Sequence, residues 1–341
     1  MLTADRDRRL IATWLLICCA LVFCMVVLGG VTRLTGSGLS MADWRPIMGW
    51  LPPMSNSEWQ ASFDLYQATP EFQHVNAHMD VHDYKSIFWL EYLHRLLGRL
   101  IGLAFLLPFL ALLATRRIRL AETPKYLAMF VLGGLQGVLG WYMVKSGLVD
   151  DPHVSQYRLT AHLSAAFLIY GYMFWVAMSL LFRQADGPRH PLYLRTLALA
   201  TLIVLTIISG GFVAGLKAGH VYNTFPLMGG QLIPEGYWAL DPGLHNLFEN
   251  VATVQFDHRL LAISTLLAVI AYWVGARRSG APRRSRGGLH ALLSFTLLQV
   301  ILGISTLLLS VPIVLGAAHQ ATAMLLFTTA LYLVHAMRGA R

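Results

Sequence analysis

The stretch EYLHRLLGRLIGLAFLLPFLALL, residues 91–113, decides the fold. Beyond Arg99 it carries no charge, and it is long enough to cross a bilayer, which takes about 20 residues. A helix of that length satisfies its own backbone hydrogen bonds, the condition for a segment whose solvent is lipid. It also carries an imidazole, His94, near its start. The stretch QFDHRLLAISTLLAVIAYWVGA, residues 255–276, repeats both properties around His258.

Outward from these two, comparable apolar segments lie at about 11–28, 126–144, 159–182, 193–213, 289–309 and 315–336. Eight spans predict an all-α, polytopic membrane protein. Composition agrees: 341 residues, 56% hydrophobic and only 13% charged, outside the usual range of soluble domains. The formal net charge of +9 does not imply a nucleic-acid partner, because the basic residues sit in short loops between apolar segments. Arg6, Arg8, Arg9, Arg116, Arg117, Arg119, Arg277 and Arg278 belong to the termini and to alternate connections, which the positive-inside rule makes cytoplasmic. The opposite connections hold most of the acids, among them Asp43, Glu58, Asp80 and Asp83. The first span is expected to be a retained helix rather than a signal peptide, since it is long and no A-x-A-like site follows. No Arg/Ser-rich transit segment precedes it, so the expected location is a bacterial inner membrane with both termini cytoplasmic.

Cys18, Cys19 and Cys24 all fall in the first span, and no CxxCH motif exists. Loop disulfides and covalent heme attachment are therefore not expected. In the third span, Gly133, Gly134, Gly137 and Gly140 have the spacing that suits close helix–helix contact in lipid. Two outer connections, roughly 29–90 and 214–255, are long enough to carry structure of their own. Within the first, Trp59, Phe63 and Tyr66 predict a short amphipathic helix over 57–72 that lies on the membrane or caps the bundle. His74, His78 and His82 would share one face if that stretch were helical, and so form a transition-metal site or a solvated helix face.

The second half repeats the first. GGVTRLTGSGLSMADWRPIMG from Gly29 aligns with GGFVAGLKAGHVYNTFPLMGG from Gly210, allowing a one-residue gap. EYLHRLL at 91–97 aligns with QFDHRLL at 255–261, LQGVLG at 135–140 with LQVILG at 298–303, and TAHLSAA at 160–166 with AAHQATA at 317–323. Each repeat holds four spans, 1–190 and 191–341, so both have the same orientation, as in parallel repeats related by an axis along the membrane normal.

The alignment pairs His94 with His258 and His162 with His319. A lone histidine in an apolar helix is ordinarily a packed, hydrogen-bonded residue. Two per repeat, at equivalent positions and similar expected depth, point instead to two ligand pairs. Neutral imidazoles facing each other across a four-helix core can hold heme iron from both sides. Zinc or copper would call for further close ligands. Arg95 and Arg259, each beside a ligand histidine, fit propionates or snorkel to headgroups.

One position breaks the symmetry. Glu91 lies one turn before His94, and its counterpart is Gln255, which cannot ionise. An intramembrane carboxylate is costly and by default functional, and here it suits proton transfer. The acid-bearing first half is thus expected to handle a reacting molecule, and the second to hold a resident heme.

With these residues in view, the chain resembles the heme A synthase family. The match covers nearly its whole length and rests on ExxHR at 91–95, HR at 258–259, and AH at 161–162 and 318–319. The resemblance implies eight transmembrane helices as two pseudo-symmetric four-helix bundles. It also implies oxidation of the C8 methyl group of heme O to a formyl group, giving heme A for terminal oxidases. His258 and His319 would then be axial ligands of a heme b cofactor. His94 and His162 would hold the substrate heme O, and Glu91 would be the catalytic acid. Implied partners are heme O, membrane lipid, the heme O-producing enzyme, oxidase assembly factors and a further copy of the chain. Many relatives carry a cysteine pair in the first outer loop. This chain has none and resembles the cysteine-free subgroup, which excludes a thiol relay there. Two other classes remain to be discriminated. A di-heme electron-transfer cytochrome explains the histidines but not Glu91 opposite Gln255. A transporter is disfavoured by polar residues gathered near one surface.

Overall fold

A computed structural model of the chain describes residues 2–43, 49–145, 147–148, 152–182 and 189–338. Its helices, in chain order, are α1 (Leu2–Leu34), α2 (Asn56–Gln67), α3 (Val81–Ala114), α4 (Thr123–Lys145), α5 (Gln156–Leu181), α6 (Tyr193–Gly215), the single turn α7 (Asn246–Glu249), α8 (Val251–Arg278), α9 (Ser285–Leu308) and α10 (Ile313–Met337). Among the described residues there is no strand, only an isolated bridge between Met228 and Gln231. All except α2 and α7 are long and apolar enough to cross a membrane, so the eight expected spans are present and the chain is a multi-pass membrane protein. Large apolar side chains such as Leu107, Leu168, Leu194 and Ile301 remain exposed on these helices, as lipid-facing positions require.

The helices run past the apolar windows because hydropathy marks only the part immersed in lipid. α3 starts at Val81, well before Glu91, where Asp80 caps it by accepting from the backbone N–H of His82 and Asp83. In the same way Asn250 caps α8 through Ala252 and Thr253.

The chain forms two compact units, residues 20–166 and residues 1–19 with 167–341. In the first, the expected amphipathic helix is α2. Ser55 and Glu58 close a capping box at its start. The backbone N–H groups of Met54 and Ser55 donate to Glu58, holding its exposed carboxyl below the usual carboxylate range. Trp59, Phe63 and Tyr66 of α2 pack on Tyr84, Phe88 and Tyr92, in the N-terminal part of α3. The common face expected for His74, His78 and His82 does not form. His74 lies in a π-turn over Phe72–Asn76, His78 in the turn after it, and His82 in the first turn of α3, because Asp80 breaks the helix to cap the next.

In the second unit α6, α8, α9 and α10 pack around Leu199, Ile203, Val269, Leu292 and Leu333. Interhelical hydroxyl pairs, Thr196 with Tyr272 at 2.6 Å and Thr206 with Thr265 at 2.9 Å, add the polar contacts that join helices in lipid. The start of α1 and the end of α5 belong here as well. Arg8 donates to the carbonyls of Ser179 and Leu180, at the C-terminal end of α5, where a cation complements the helix dipole. Tyr170 of α5 pairs with Thr328 of α10 at 2.8 Å.

Candidate functional site

Each of the four histidines is set against a glycine. A β-carbon added to Gly29 of α1 would lie 2.9 Å from Cε1 of His94, on α3. One added to Gly140 of α4 would lie 3.0 Å from Cε1 of His162, on α5. The corresponding distances are 3.1 Å from Gly210 of α6 to His258 of α8 and 3.0 Å from Gly303 of α9 to His319 of α10. Real β-carbons essentially never come as near as 2.9 Å, and 3.0–3.1 Å is tighter than nine in ten of their contacts. The preceding helix therefore meets the imidazole edge with bare backbone, and the ring is wedged in one plane. Gly29 aligns with Gly210 and Gly140 with Gly303, so the same cradle occurs at all four aligned places.

Within residues 20–166, His94 and His162 lie in electrostatic range of each other. Within the other unit, so do His258 and His319. Each expected pair thus falls within one unit. Among the described residues the one cluster of three or more metal-ligating groups within reach of a common ion is Asp80, His82 and Asp83, exposed at the start of α3. Neither histidine pair gains a third such ligand. Two imidazoles, apolar helix surfaces and no further donor match a bis-histidine heme and fit zinc poorly.

The ring nitrogens differ among the four. Nδ1 of His94, His162 and His319 is buried and takes no side-chain partner among the described residues, while the His319 ring is hydrogen-bonded to the Gln299 backbone. Nδ1 of His258 lies 2.8 Å from Oγ of Ser209. Nε2 of His319 is 3.2 Å from the side-chain amide nitrogen of Gln299, whereas the aligned Gln136 donates to the backbone carbonyl of His162 at 2.7 Å.

Glu91 is 3% exposed and fully engaged. Its Oε2 accepts from Ser40 Oγ at 2.7 Å and from the Met41 backbone N–H at 2.8 Å. Its Oε1 takes Nε and a terminal nitrogen of Arg95, at 3.0 and 2.5 Å. Arg95 also donates to the carbonyls of Met41 and Asp43. Gln255 and Arg259 repeat this arrangement on the loop after α6. Gln255 donates to the Ala218 carbonyl at 2.9 Å, and Arg259 donates to Gln255 Oε1 and to the carbonyls of Tyr222 and Thr224. Met41 aligns with Tyr222 and Asp43 with Thr224, so both arginines make their loop contacts at matching positions. Arg95 and Arg259 each tie a loop to the histidine-bearing helix.

Sequence reasoning did not single out Ser209, Ser40, Gln136 or Gln299. Isolated serines and glutamines in apolar helices have no pattern that marks them. The cradle glycines did carry a signal, since each falls at a matching position of a repeated motif. Only the contact reveals its meaning.

The model of the COX15-CtaA family, described as cytochrome oxidase assembly protein, matches residues 12–331. A protein of Nitrosospira multiformis called heme A synthase is 51% identical over 336 residues, covering 97% of this chain and 94% of that protein. A heme A synthase of Nitrosomonas eutropha is 50% identical, covering 94% and 92%. The mouse protein called heme A synthase COX15 is 45% identical, covering 97% and 83%.

Proposed function

This chain belongs to the COX15-CtaA family of cytochrome oxidase assembly proteins, and from that premise we propose that it is a heme A synthase, oxidising the C8 methyl group of heme O to a formyl group. The heme A so made serves terminal oxidases. The observation that carries this reading is the asymmetry between two otherwise matching sites. Each unit holds a glycine-cradled histidine pair, yet only residues 20–166 set a carboxylate, Glu91, one turn from a ligand histidine.

His94 and His162 would hold the iron of heme O, and the glycines against them would set the planes of the two imidazoles. Glu91 is the acid that handles protons released as the methyl carbon is oxidised. Ser40, Met41 and Arg95 hold its two oxygens at fixed places, so it reorganises little during transfer. His258 and His319 hold a resident heme b. Held by these two imidazoles, such a heme would supply one-electron transfer. The first four-span repeat, 1–190, is thus the substrate half and the second, 191–341, the cofactor half of two pseudo-symmetric bundles. The multi-pass chain sits in the bacterial inner membrane with both termini cytoplasmic, next to the enzyme that makes heme O.

The test is to express the chain in cells that make heme O but no heme A, and to identify the extracted hemes by mass. Heme A should appear. Heme O left unconverted, beside two permanent b hemes in the purified protein, would make the chain an electron-transfer cytochrome instead.

A further inference from the structure

The four histidines have the same cradle but not the same hydrogen bonding. Ser209 Oγ lies 2.8 Å from Nδ1 of His258, and its hydroxyl donates to the Thr206 carbonyl at 2.8 Å. The Thr206 carbonyl is a hydrogen-bond acceptor for the His258 ring as well, so the hydroxyl and the ring nitrogen converge on one acceptor. A carbonyl only accepts, so Nδ1 carries the proton, and toward it the Ser209 oxygen is an acceptor too. His258 is fixed as one tautomer, with the lone pair on Nε2. Gly210, the next residue of α6, closes on the same ring, so α6 sets both its plane and its tautomer. No side-chain hydroxyl lies against Nδ1 of His94, His162 or His319 among the described residues, although the His319 ring is hydrogen-bonded to the Gln299 backbone. In the first repeat the residue aligned with Ser209 is Leu28, which has no polar atom to offer.

We propose that Ser209 is a positioning residue that makes His258 the retaining ligand of the resident heme, and that Leu28 at the matching place leaves the substrate pair exchangeable. The proposal rests on the reading of His258 and His319 as the cofactor pair. An imidazole that donates from Nδ1 is a stronger donor at Nε2, so it binds iron more tightly and favours the ferric state. A cofactor that must stay through every turnover needs that bond. A substrate that must enter as heme O and leave as heme A is better served without it. One hydroxyl thus sorts two chemically similar hemes into one that remains and one that passes through.

The test uses the full-length holoprotein in detergent, with two readouts besides turnover: the midpoint potential of the resident heme, and its rate of loss to excess apomyoglobin. Ser209→Ala should raise the potential and speed heme loss about tenfold, the lower end for removing an outer partner of a metal-bound histidine. Ser209→Thr, which keeps the hydroxyl, should restore both toward wild type. If the alanine variant fails to accumulate, Ser209→Cys keeps the bulk, gives up the good acceptor and should show the same shifts. Unchanged potential and loss rate in Ser209→Ala or Ser209→Cys would overturn the proposal, as would Ser209→Thr behaving like alanine. His258→Ala separates the two levels of the argument. Full retention of resident heme there sinks the assignment of the cofactor pair itself. Loss of heme there, with an unaltered Ser209→Ala, removes only the role given to Ser209.

Discussion

At the scale of single residues, Glu91 and Gln255 show how one atom separates two sites. Both tether a loop to the helix that bears a histidine of the proposed pairs. Gln255 does so as donor and acceptor, whereas Glu91 accepts on both oxygens, from Ser40 and Met41 on one and Arg95 on the other. Glu91→Gln cannot keep this set. If its amide nitrogen faces Met41 it meets an N–H, and if it faces Arg95 it meets a guanidinium. Either way a buried donor is stranded, at about 1–3 kcal/mol. The expected outcome is loss of heme A formation with resident heme retained, and a modest fall in thermal stability. Heme extraction and a melting curve on the same preparation check it. Unchanged turnover would remove Glu91 from the mechanism. This difference was legible in the sequence because the repeat supplies its own control: an acid on one side and its uncharged isostere on the other. The partners of Glu91 were not legible, since Ser40 and Met41 lie about fifty residues away along the chain and nothing local marks them.

At the scale of elements, the question is what glycine does between helices. Sequence spacing assigned Gly133, Gly134, Gly137 and Gly140 alike to close packing. In the structure a β-carbon at any of the first three would meet nothing within 4 Å, while one at Gly140 meets His162. The period of the pattern was right, but the face was not, because α4 turns three of these glycines outward and only the fourth toward α5. A contrast follows. Gly140→Ala and Gly303→Ala place a methyl group 3.0 Å from an imidazole Cε1. They should displace the ring, cost about 1–3 kcal/mol as overpacking does, and lower heme occupancy at that pair. Gly134→Ala should leave occupancy unchanged. Pyridine hemochrome quantification of the three variants decides it, and equal behaviour would mean that the cradles have no part in heme binding. The extension of α3 beyond its apolar window was only partly readable. The capping signal Asp80 and Asp83 is present in the sequence, but hydropathy registers lipid contact and is blind to a helix that continues into water beneath α2.

At the scale of the whole molecule, the sequence displayed its repeats more clearly than its packing. Four motif pairs in the same order are visible in one dimension. That the first half of α1 and the second half of α5 join the later helices depends on distant contacts, such as Arg8 with the α5 carbonyls and Tyr170 with Thr328, which leave no local trace. The histidine pairs nevertheless keep to separate units, His94 and His162 in residues 20–166 and His258 and His319 in the other. Truncating one imidazole therefore removes a ligand and opens a small gap in its own unit, leaving the other pair with its cradles intact. If one pair retains a cofactor and the other passes a substrate, truncation must split by phenotype and not merely by degree. His258→Ala and His319→Ala should each abolish the low-spin spectrum of the purified protein. His94→Ala and His162→Ala should keep that spectrum and fail to produce heme A. A resident heme lost from His94→Ala and kept in His258→Ala would exchange the two roles. It would also place the ionisable Glu91 beside the retained heme, leaving the reacting site with only the uncharged Gln255 at that position and so without the group on which the proton chemistry was argued.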